Sequence, residues 1–368
     1  MYNFGIYVHW PFCITKCPYC DFNSHEIIKY KSDDWLNAYI NQLDFFKNFL
    51  ISQNTQHKKL ISIFFGGGTP SLMNPKMIEK ILSKIFNLFN FEENIEISIE
   101  ANPSELEKKK ILRFKELGFN RISVGVQGLN NKDLNFLGRT HNIIDVHNIL
   151  EETQKYFKNI SVDLLYALFC QNLQTWEKEL VEFLKKYQVQ HLSAYELTLE
   201  KGTKFYNLNK KGMFNSANDN KHNEFYSITK DILHEYNLPQ YEISNFSKPN
   251  FQSKHNKIYW RSENWIGIGP GSVSRLWNGK NDRIEVINFK KPNNWLKNSL
   301  NNDVSFKNIE VLKKKITEQE ILIMGLRLVE GIELKKFSSV NFLLSEDVKN
   351  LLQTKILLLN NGKVLINK

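Results

Sequence analysis

The sequence predicts an α/β protein in which a partial (βα)6 barrel of the TIM type fills residues 1–210 and a small helical or winged-helix-like domain closes the chain. Two patterns predict this. Short apolar, β-branched runs recur six times with amphipathic helical stretches between them. Each run is nearly continuous in hydrophobicity and does not alternate, as befits parallel strands covered on their outer face. A third observation puts chemistry on that frame: three of the four cysteines fall within eight positions, just after the first run.

The predicted strands lie near Ile6–His9, Leu60–Phe65, Ile95–Glu100, Arg121–Gln127, Ile160–Leu165 and His191–Leu197. The predicted helices are Asp34–Phe49, Pro75–Phe89, Glu105–Leu117, Asp145–Phe157 and Trp176–Lys186. Ser104 is a suitable N-cap for the third, and Gly118 ends it where a C′ glycine belongs. About 55 residues separate the first two strands, more than separate any later pair, so the first connection is unusually long, and it carries the cysteines. Past residue 210 the alternation fades. His222–Tyr236 reads as a helix, an aromatic- and glycine-rich stretch follows (Tyr241–Arg275), and residues 211–305 form an extension. Residues 306–368 read as the small tail, ending in a strand pair at Leu357–Leu359 and Lys363–Ile366.

Composition narrows the function classes. No run of about 18 apolar residues is present, so no membrane span is expected. The N-terminus has no charged segment followed by an apolar one, which predicts no secretory signal and a cytoplasmic protein. The net charge of +10 is spread along the chain without a single basic stripe. Nucleic acid is therefore not an expected partner, while peripheral membrane contact stays open. Four cysteines in 368 residues make no disulfide framework.

Cys13, Cys17 and Cys20 are spaced C-x3-C-x2-C in a loop. Thiolates of this spacing can wrap a [4Fe-4S] cluster. Three of them leave one iron without a protein ligand, free to chelate the amino and carboxylate groups of S-adenosylmethionine. The competing reading is a zinc site completed by His9 or His25. Gly66-Gly67-Gly68-Thr69-Pro70 ends the second strand; it lets backbone approach a ligand, or it is a plain tight turn. It lacks the Lys-Ser/Thr of a P-loop. Glu100, Gln127 and Asp163 recur at the C-terminal ends of later strands, the face on which barrel enzymes build their sites. Arg139 could face a carboxylate or stand on the surface.

Tyr7-Val-His-Trp-Pro-Phe-Cys13, Cys17-Pro-Tyr-Cys20 and Phe65-Gly-Gly-Gly-Thr-Pro70 resemble the radical-SAM family of oxygen-independent coproporphyrinogen III oxidase. Ile99-Glu-Ala-Asn-Pro103, Ser123-Val-Gly-Val-Gln127, Leu137-Gly-Arg139 and Val162-Asp163 extend the match in order over nearly the whole chain. The resemblance implies a [4Fe-4S] cluster on the three cysteines and a barrel of the radical-SAM class. It also implies a S-adenosylmethionine site lined by Tyr7, Tyr19, Gly67, Gly68, Thr69, Glu100, Gln127, Arg139, Asp163 and Ala194. It implies an electron donor such as flavodoxin or ferredoxin, and reductive cleavage to methionine and a 5′-deoxyadenosyl radical.

Oxidases of this family carry a fourth cysteine two residues after the third, and a long N-terminal extension. Here position 22 is Phe22, and only twelve residues precede the first cysteine. Both features resemble the HemW branch, regarded as heme chaperones, as does His255-Asn-Lys-Ile-Tyr-Trp260. By that resemblance the chain binds heme, with His255 as candidate ligand, and hands it to an unidentified acceptor protein; the positive charge would suit porphyrin propionates. From the residues alone, His255 could equally be a hydrogen-bonded structural histidine. The alternative function is the oxidative decarboxylation itself. Two segments depart from the family: Ala167-Leu-Phe-Cys-Gln171 stands where relatives have Gly-Leu-Pro-Gly-Gln, and Val273 stands where they often have histidine. Cys170 reads as a buried apolar thiol.

Overall fold

The computed structural model describes all residues except 1, 28, 56, 170, 214–218, 302–305, 338–344 and 368. Cys170 therefore lies outside the described residues. Six parallel strands follow one another in chain order: β1 (Tyr2–Trp10), β2 (His57–Gly67), β3 (Phe91–Ala101), β4 (Arg121–Gln127), β5 (Ile160–Tyr166) and β6 (His191–Glu196). These are the six predicted strands: β1, β2 and β3 are longer than expected by several residues, β4 has the expected bounds, β5 gains one residue and β6 loses one.

The sheet does not stop there. Beyond β6 lie the short antiparallel β8 (Asn245–Ser247) and β7 (Gln240–Glu242). On the other flank β9 (Asn264–Ile268) pairs in parallel with β1, followed by antiparallel β10 (Val273–Trp277), β11 (Arg283–Asn288) and β12 (Phe306–Val311). The result is a twelve-stranded open sheet ordered β12-β11-β10-β9-β1-β2-β3-β4-β5-β6-β8-β7. The aromatic- and glycine-rich stretch thus supplies edge strands and one helix to the same sheet.

Alternation along each strand sorts side chains between two faces. On β1 the outward residues Phe4, Ile6, Val8 and Trp10 are fully buried beneath helices, while Gly5, Tyr7 and His9 face inward. Helix Pro75–Leu88 shows why these helices form. Asn74 caps it by accepting from Lys76 N, Pro75 opens it, and Met77, Ile78, Ile81, Leu82 and Ile85 bury one stripe. Each such fully buried aliphatic contributes roughly 1.5–3 kcal/mol. The helix expected over Glu105–Leu117 is two pieces, Glu105–Lys108 and Ile111–Glu116. The break falls where Lys110 turns its amine to the Ser71 carbonyl at 2.9 Å.

A small antiparallel sheet, β13 (Ile332–Glu333), β15 (Lys363–Ile366) and β14 (Leu357–Asn360), lies between helices Lys314–Gly325 and Glu346–Gln353. Its core of Ile321, Ile332, Phe337, Val348, Leu357 and Val364 closes against Trp277 of β10. Among the described residues no helix is long and apolar enough to cross a membrane.

Candidate metal and cofactor site

The site grows from the end of β1. Trp10 and Phe12 are buried against Trp35 with ring centroids 5.4 and 5.1 Å apart, so the root of the cysteine loop is fixed by aromatic packing. Phe12–Cys13 then pairs with His25–Glu26, and Ile27 N donates to Cys13 O at 2.8 Å, closing the loop on itself. Inside it Cys20 N donates to Cys17 O at 3.1 Å. All three thiols are unbridged and partly exposed. Burial pushes the Cys13 thiol up, opposed by a hydrogen bond from Thr69 and the Arg139 charge. Arg139 Nη1 lies 3.4 Å from Cys17 Sγ and 3.5 Å from the Tyr19 hydroxyl. A buried guanidinium at this place favours thiolates, the form that binds iron.

Of the two histidines weighed for a zinc site, His9 has both ring nitrogens engaged elsewhere and His25 has its Nε2 engaged. His9 places Nδ1 3.0 Å from the Tyr7 hydroxyl and Nε2 3.0 Å from Asn23 O. His25 Nε2 lies 3.3 Å from Asn23 Oδ1. Among the described residues no three His, Cys, Asp or Glu side chains converge on a point that would hold a single metal ion. Three separated thiolates in one short loop suit a multi-iron cluster, whose irons are bound one thiolate each.

The glycine turn packs against this loop. Gly68 N donates to Trp10 O at 2.6 Å and Thr69 N to Phe12 O at 2.9 Å. Gly67 has φ +112°, and a Cβ there would sit 2.6 Å from the His9 ring; at Gly68 it would sit 2.8 Å from Phe12 O. The glycines are thus required first for close approach to the cysteine loop. Gly138, φ +67°, serves the same end from the other side, where a Cβ would meet Pro18 at 2.7 Å.

Glu100 of β3 accepts from Gly67 N at 3.1 Å. Burial and the nearby Asp163 push its carboxyl up to about 8, against the pull of Gly67 N–H and Arg121. Asp163 of β5 is also raised by burial, though Ser193, Arg121 and Ser123 oppose this; Ser123 Oγ donates to it at 3.0 Å. Two buried carboxyls, both raised above the usual carboxylate range, on one concave face form a candidate site for a polar ligand. Gln127 ends β4 at φ +67°, a left-handed conformation that non-glycine residues adopt at a cost.

Of the ten residues expected around S-adenosylmethionine, Tyr7, Tyr19, Gly67, Gly68, Thr69, Glu100, Gln127, Arg139 and Asp163 surround the C-terminal ends of β1–β5 and the cysteine loop. Ala194 differs: its side chain belongs to the outer core, and its N–H donates to Ser244 O at 2.8 Å. Its neighbour Ser193 faces inward and bonds Asp163. Residue reading missed Asn102, which donates to Thr69 Oγ1 at 3.0 Å and accepts from Arg139, so joining the glycine turn to the arginine. It missed Arg121 too, buried on the concave face. The inward parity of Ser193 and Arg121 along their strands was the available signal.

His255 lies deeper in the concave face, its ring centroid 6.2 Å from that of Tyr7. Helix Lys254–Trp260 packs into the concave face against β1, β2 and β9. His255 is 1% exposed, stacked on Phe64, with Nδ1 2.8 Å from Ser62 Oγ and Nε2 2.7 Å from the Tyr259 hydroxyl. Val273 lies on β10, its carbonyl accepting from Trp265 Nε1 at 2.9 Å. At the altered 167–171 loop, Ala167 has φ +55°. Gln171 donates from Nε2 to Asp133 at 2.9 Å.

Comparison with known proteins matches this geometry. Residues 7–200 match the sequence family described as the radical SAM superfamily. The chain is 33% identical to the heme chaperone HemW of Lactococcus lactis over 95% of this chain and 90% of that one. It is 33% identical to the mitochondrial radical S-adenosyl methionine domain-containing protein 1 of Danio rerio, over 89% and 73%. The fold is that of the Escherichia coli coproporphyrinogen III oxidase HemN: TM-score 0.79 at 18% identity, covering 100% of this chain and 87% of that one. The radical SAM superfamily implies a [4Fe-4S] cluster and S-adenosylmethionine. The chain belongs to the radical SAM superfamily, within the group of the HemW heme chaperones.

Proposed function

We propose that this chain is a heme carrier built on a radical SAM frame, and not a coproporphyrinogen oxidase. The observation that carries the reading is Phe22. It is 62% exposed beside the cysteine loop, at the position where, by family resemblance, the oxidases place a further cysteine. The named HemW relatives support the same reading.

In this reading Cys13, Cys17 and Cys20 hold the cluster. Tyr7, Tyr19, Gly67, Gly68, Thr69, Glu100, Gln127, Arg139 and Asp163, with the Ala194 backbone, hold S-adenosylmethionine. The bound cluster supplies the electron for reductive cleavage. The protein's part is orientation, charge and exclusion of water. Arg139 keeps positive charge beside the thiolates. Glu100 and Asp163 would hold polar groups of that ligand by hydrogen bonds, and the aromatic root of the loop keeps its base dry. The cytoplasm is the proposed compartment, and the heme acceptor is a separate protein.

His255 is the candidate heme ligand. Both of its ring nitrogens are engaged, so ligation requires the Ser62 or Tyr259 bond to break. The test is an anaerobic heme titration of cluster-loaded protein, followed by absorbance, alongside His255→Ala. Saturable stoichiometric binding by the wild type that weakens at least tenfold in the variant is expected. Equal binding by the variant moves the heme away from His255. No saturable binding by the wild type sinks the carrier reading, and coproporphyrinogen turnover then becomes the activity to measure.

A further inference from the structure

We propose that Asn102 is a positioning residue for the cysteine loop: its one side-chain amide aims the hydrogen-bond donors of both Cys13 and Cys17, and through them raises the reduction potential of the cluster. The inference rests on the cluster assignment above. It goes beyond it by giving a role to a residue that acts on the thiols only through Thr69 and Arg139.

The direction of each bond follows from the chemistry of Arg139. A guanidinium donates and has no lone pair to accept with, so the atom of Asn102 that meets Arg139 Nη2 is Oδ1. Nδ2 is left to donate, and it does so to Thr69 Oγ1 at 3.0 Å. With its oxygen taken by Asn102, the Thr69 hydroxyl directs its own hydrogen to Cys13, to whose thiol it is hydrogen-bonded. The second arm is Arg139 itself, whose Nη1 lies 3.4 Å from Cys17 Sγ. Turning the amide over would set Nδ2 against another donor, so the network has one polarity.

The surrounding sequence holds the amide in place. Pro103 restricts Asn102 to extended backbone. Ser104 and Glu107 have the spacing of a capping box at the start of helix Glu105–Lys108. Ser104 Oγ accepts from Glu107 N at 3.2 Å, as such a cap should. The Glu107 carboxylate, 1% exposed, instead accepts from Asn102 N at 2.5 Å and from Ser71 Oγ. A helix-capping residue thus pins the backbone of Asn102. On the far side Gly125 leaves room for the amide, since a Cβ there would sit 3.2 Å from Asn102 Oδ1.

Hydrogen bonds to the sulfurs help set the potential of an iron–sulfur centre. A donor stabilises the extra negative charge of the reduced form, so a network that holds two donors on the thiolates makes reduction easier. Residues that orient the groups around a metal tune it without touching it.

The test is a redox titration of the full, cluster-loaded chain without S-adenosylmethionine, followed by the electron paramagnetic resonance of the reduced cluster. Wild type is compared with Asn102→Ala, Asn102→Asp and Thr69→Val, and with each Asn102 change combined with Thr69→Val. Asn74→Ala, which removes the cap of helix Pro75–Leu88, controls for lost stability alone. Asn102→Ala is expected to cut the reduced-to-oxidised ratio at a fixed potential at least about tenfold, a fall of about 59 mV for one electron. Thr69→Val should lower the potential in the wild type and add less than about half as much in either Asn102 background. Asn102→Asp keeps the side-chain size and an acceptor for Arg139, while its carboxylate draws the Thr69 hydroxyl away from Cys13. It decides the question where the alanine variant loses its cluster. Additive shifts, an unchanged potential in the Asn102 variants, or an equal fall in Asn74→Ala overturns the proposal. Wild type without stoichiometric iron and sulfide overturns the cluster assignment, and this proposal with it.

Discussion

Glu96 and Glu100 stand on the same strand and the same concave face, four residues apart, in opposite circumstances. Glu96 accepts from Lys254 N at 3.1 Å, His255 N at 3.2 Å and Ser253 Oγ at 3.4 Å, and so seats the N-terminus of the helix carrying His255. Glu100 accepts from Gly67 N, shares its surroundings with another carboxyl and is pushed up to about 8. The Glu96 carboxylate and both ring nitrogens of His255 find their partners among protein groups. The end around Glu100 holds carboxyls with capacity left over, three thiols and backbone in left-handed conformations. A buried polar network that is complete serves the fold, and one that is incomplete awaits a ligand. By this contrast His255, on the closed side, works first as structure, and heme must compete with Ser62 and Tyr259 for it.

The sharpest way to break the contrast is Glu100→Gln. The Glu100 carboxyl is raised in the folded chain, so its stability contribution is present below about pH 4.5 and disappears as pH rises through about 8. The glutamine variant should match the wild type in acid and exceed it by up to about 5 kcal/mol at pH 9; parallel stability–pH curves would contradict this. Next in size is His255→Ala in protein without its cluster. It strands the Ser62 and Tyr259 hydroxyls and opens a cavity beside Phe64. A loss of about 3 kcal/mol in urea unfolding is expected, and a loss below about 1 kcal/mol would show that the helix is not held through this ring. The smallest effect is expected at the open rim. Ala167 follows β5 at φ +55°, a left-handed conformation that favours glycine. Ala167→Gly should raise the midpoint of thermal unfolding, worth roughly 0.5–1 kcal/mol; a lower midpoint would place the strain elsewhere.

Much of the fold was legible because each core strand is a compact apolar run with outward residues such as Phe4, Ile6 and Val8. The cysteine loop, the glycine turn and the strand-end acids were legible because their residue types are costly in any other role. The edge strands β10–β12 were not, because they are short and mix polar with apolar residues instead of forming a continuous apolar run. At β6 the side chain on the inward face is that of Ser193 and not Ala194, because neighbours along a strand point to opposite faces.

What the sequence by itself determined is the periodicity of strands and helices and the set of chemical groups along them. Backbone sterics and hydrophobic patterning act locally, so these can be read from neighbours. Tertiary structure alone decided which groups meet. It set Arg139 against Cys17 from 122 residues away, joined Asn23 to the backbone at Pro270 and Lys290, and closed both nitrogens of His255 with Ser62 and Tyr259. Those contacts depend on strand order and sheet curvature, which only the packed chain has.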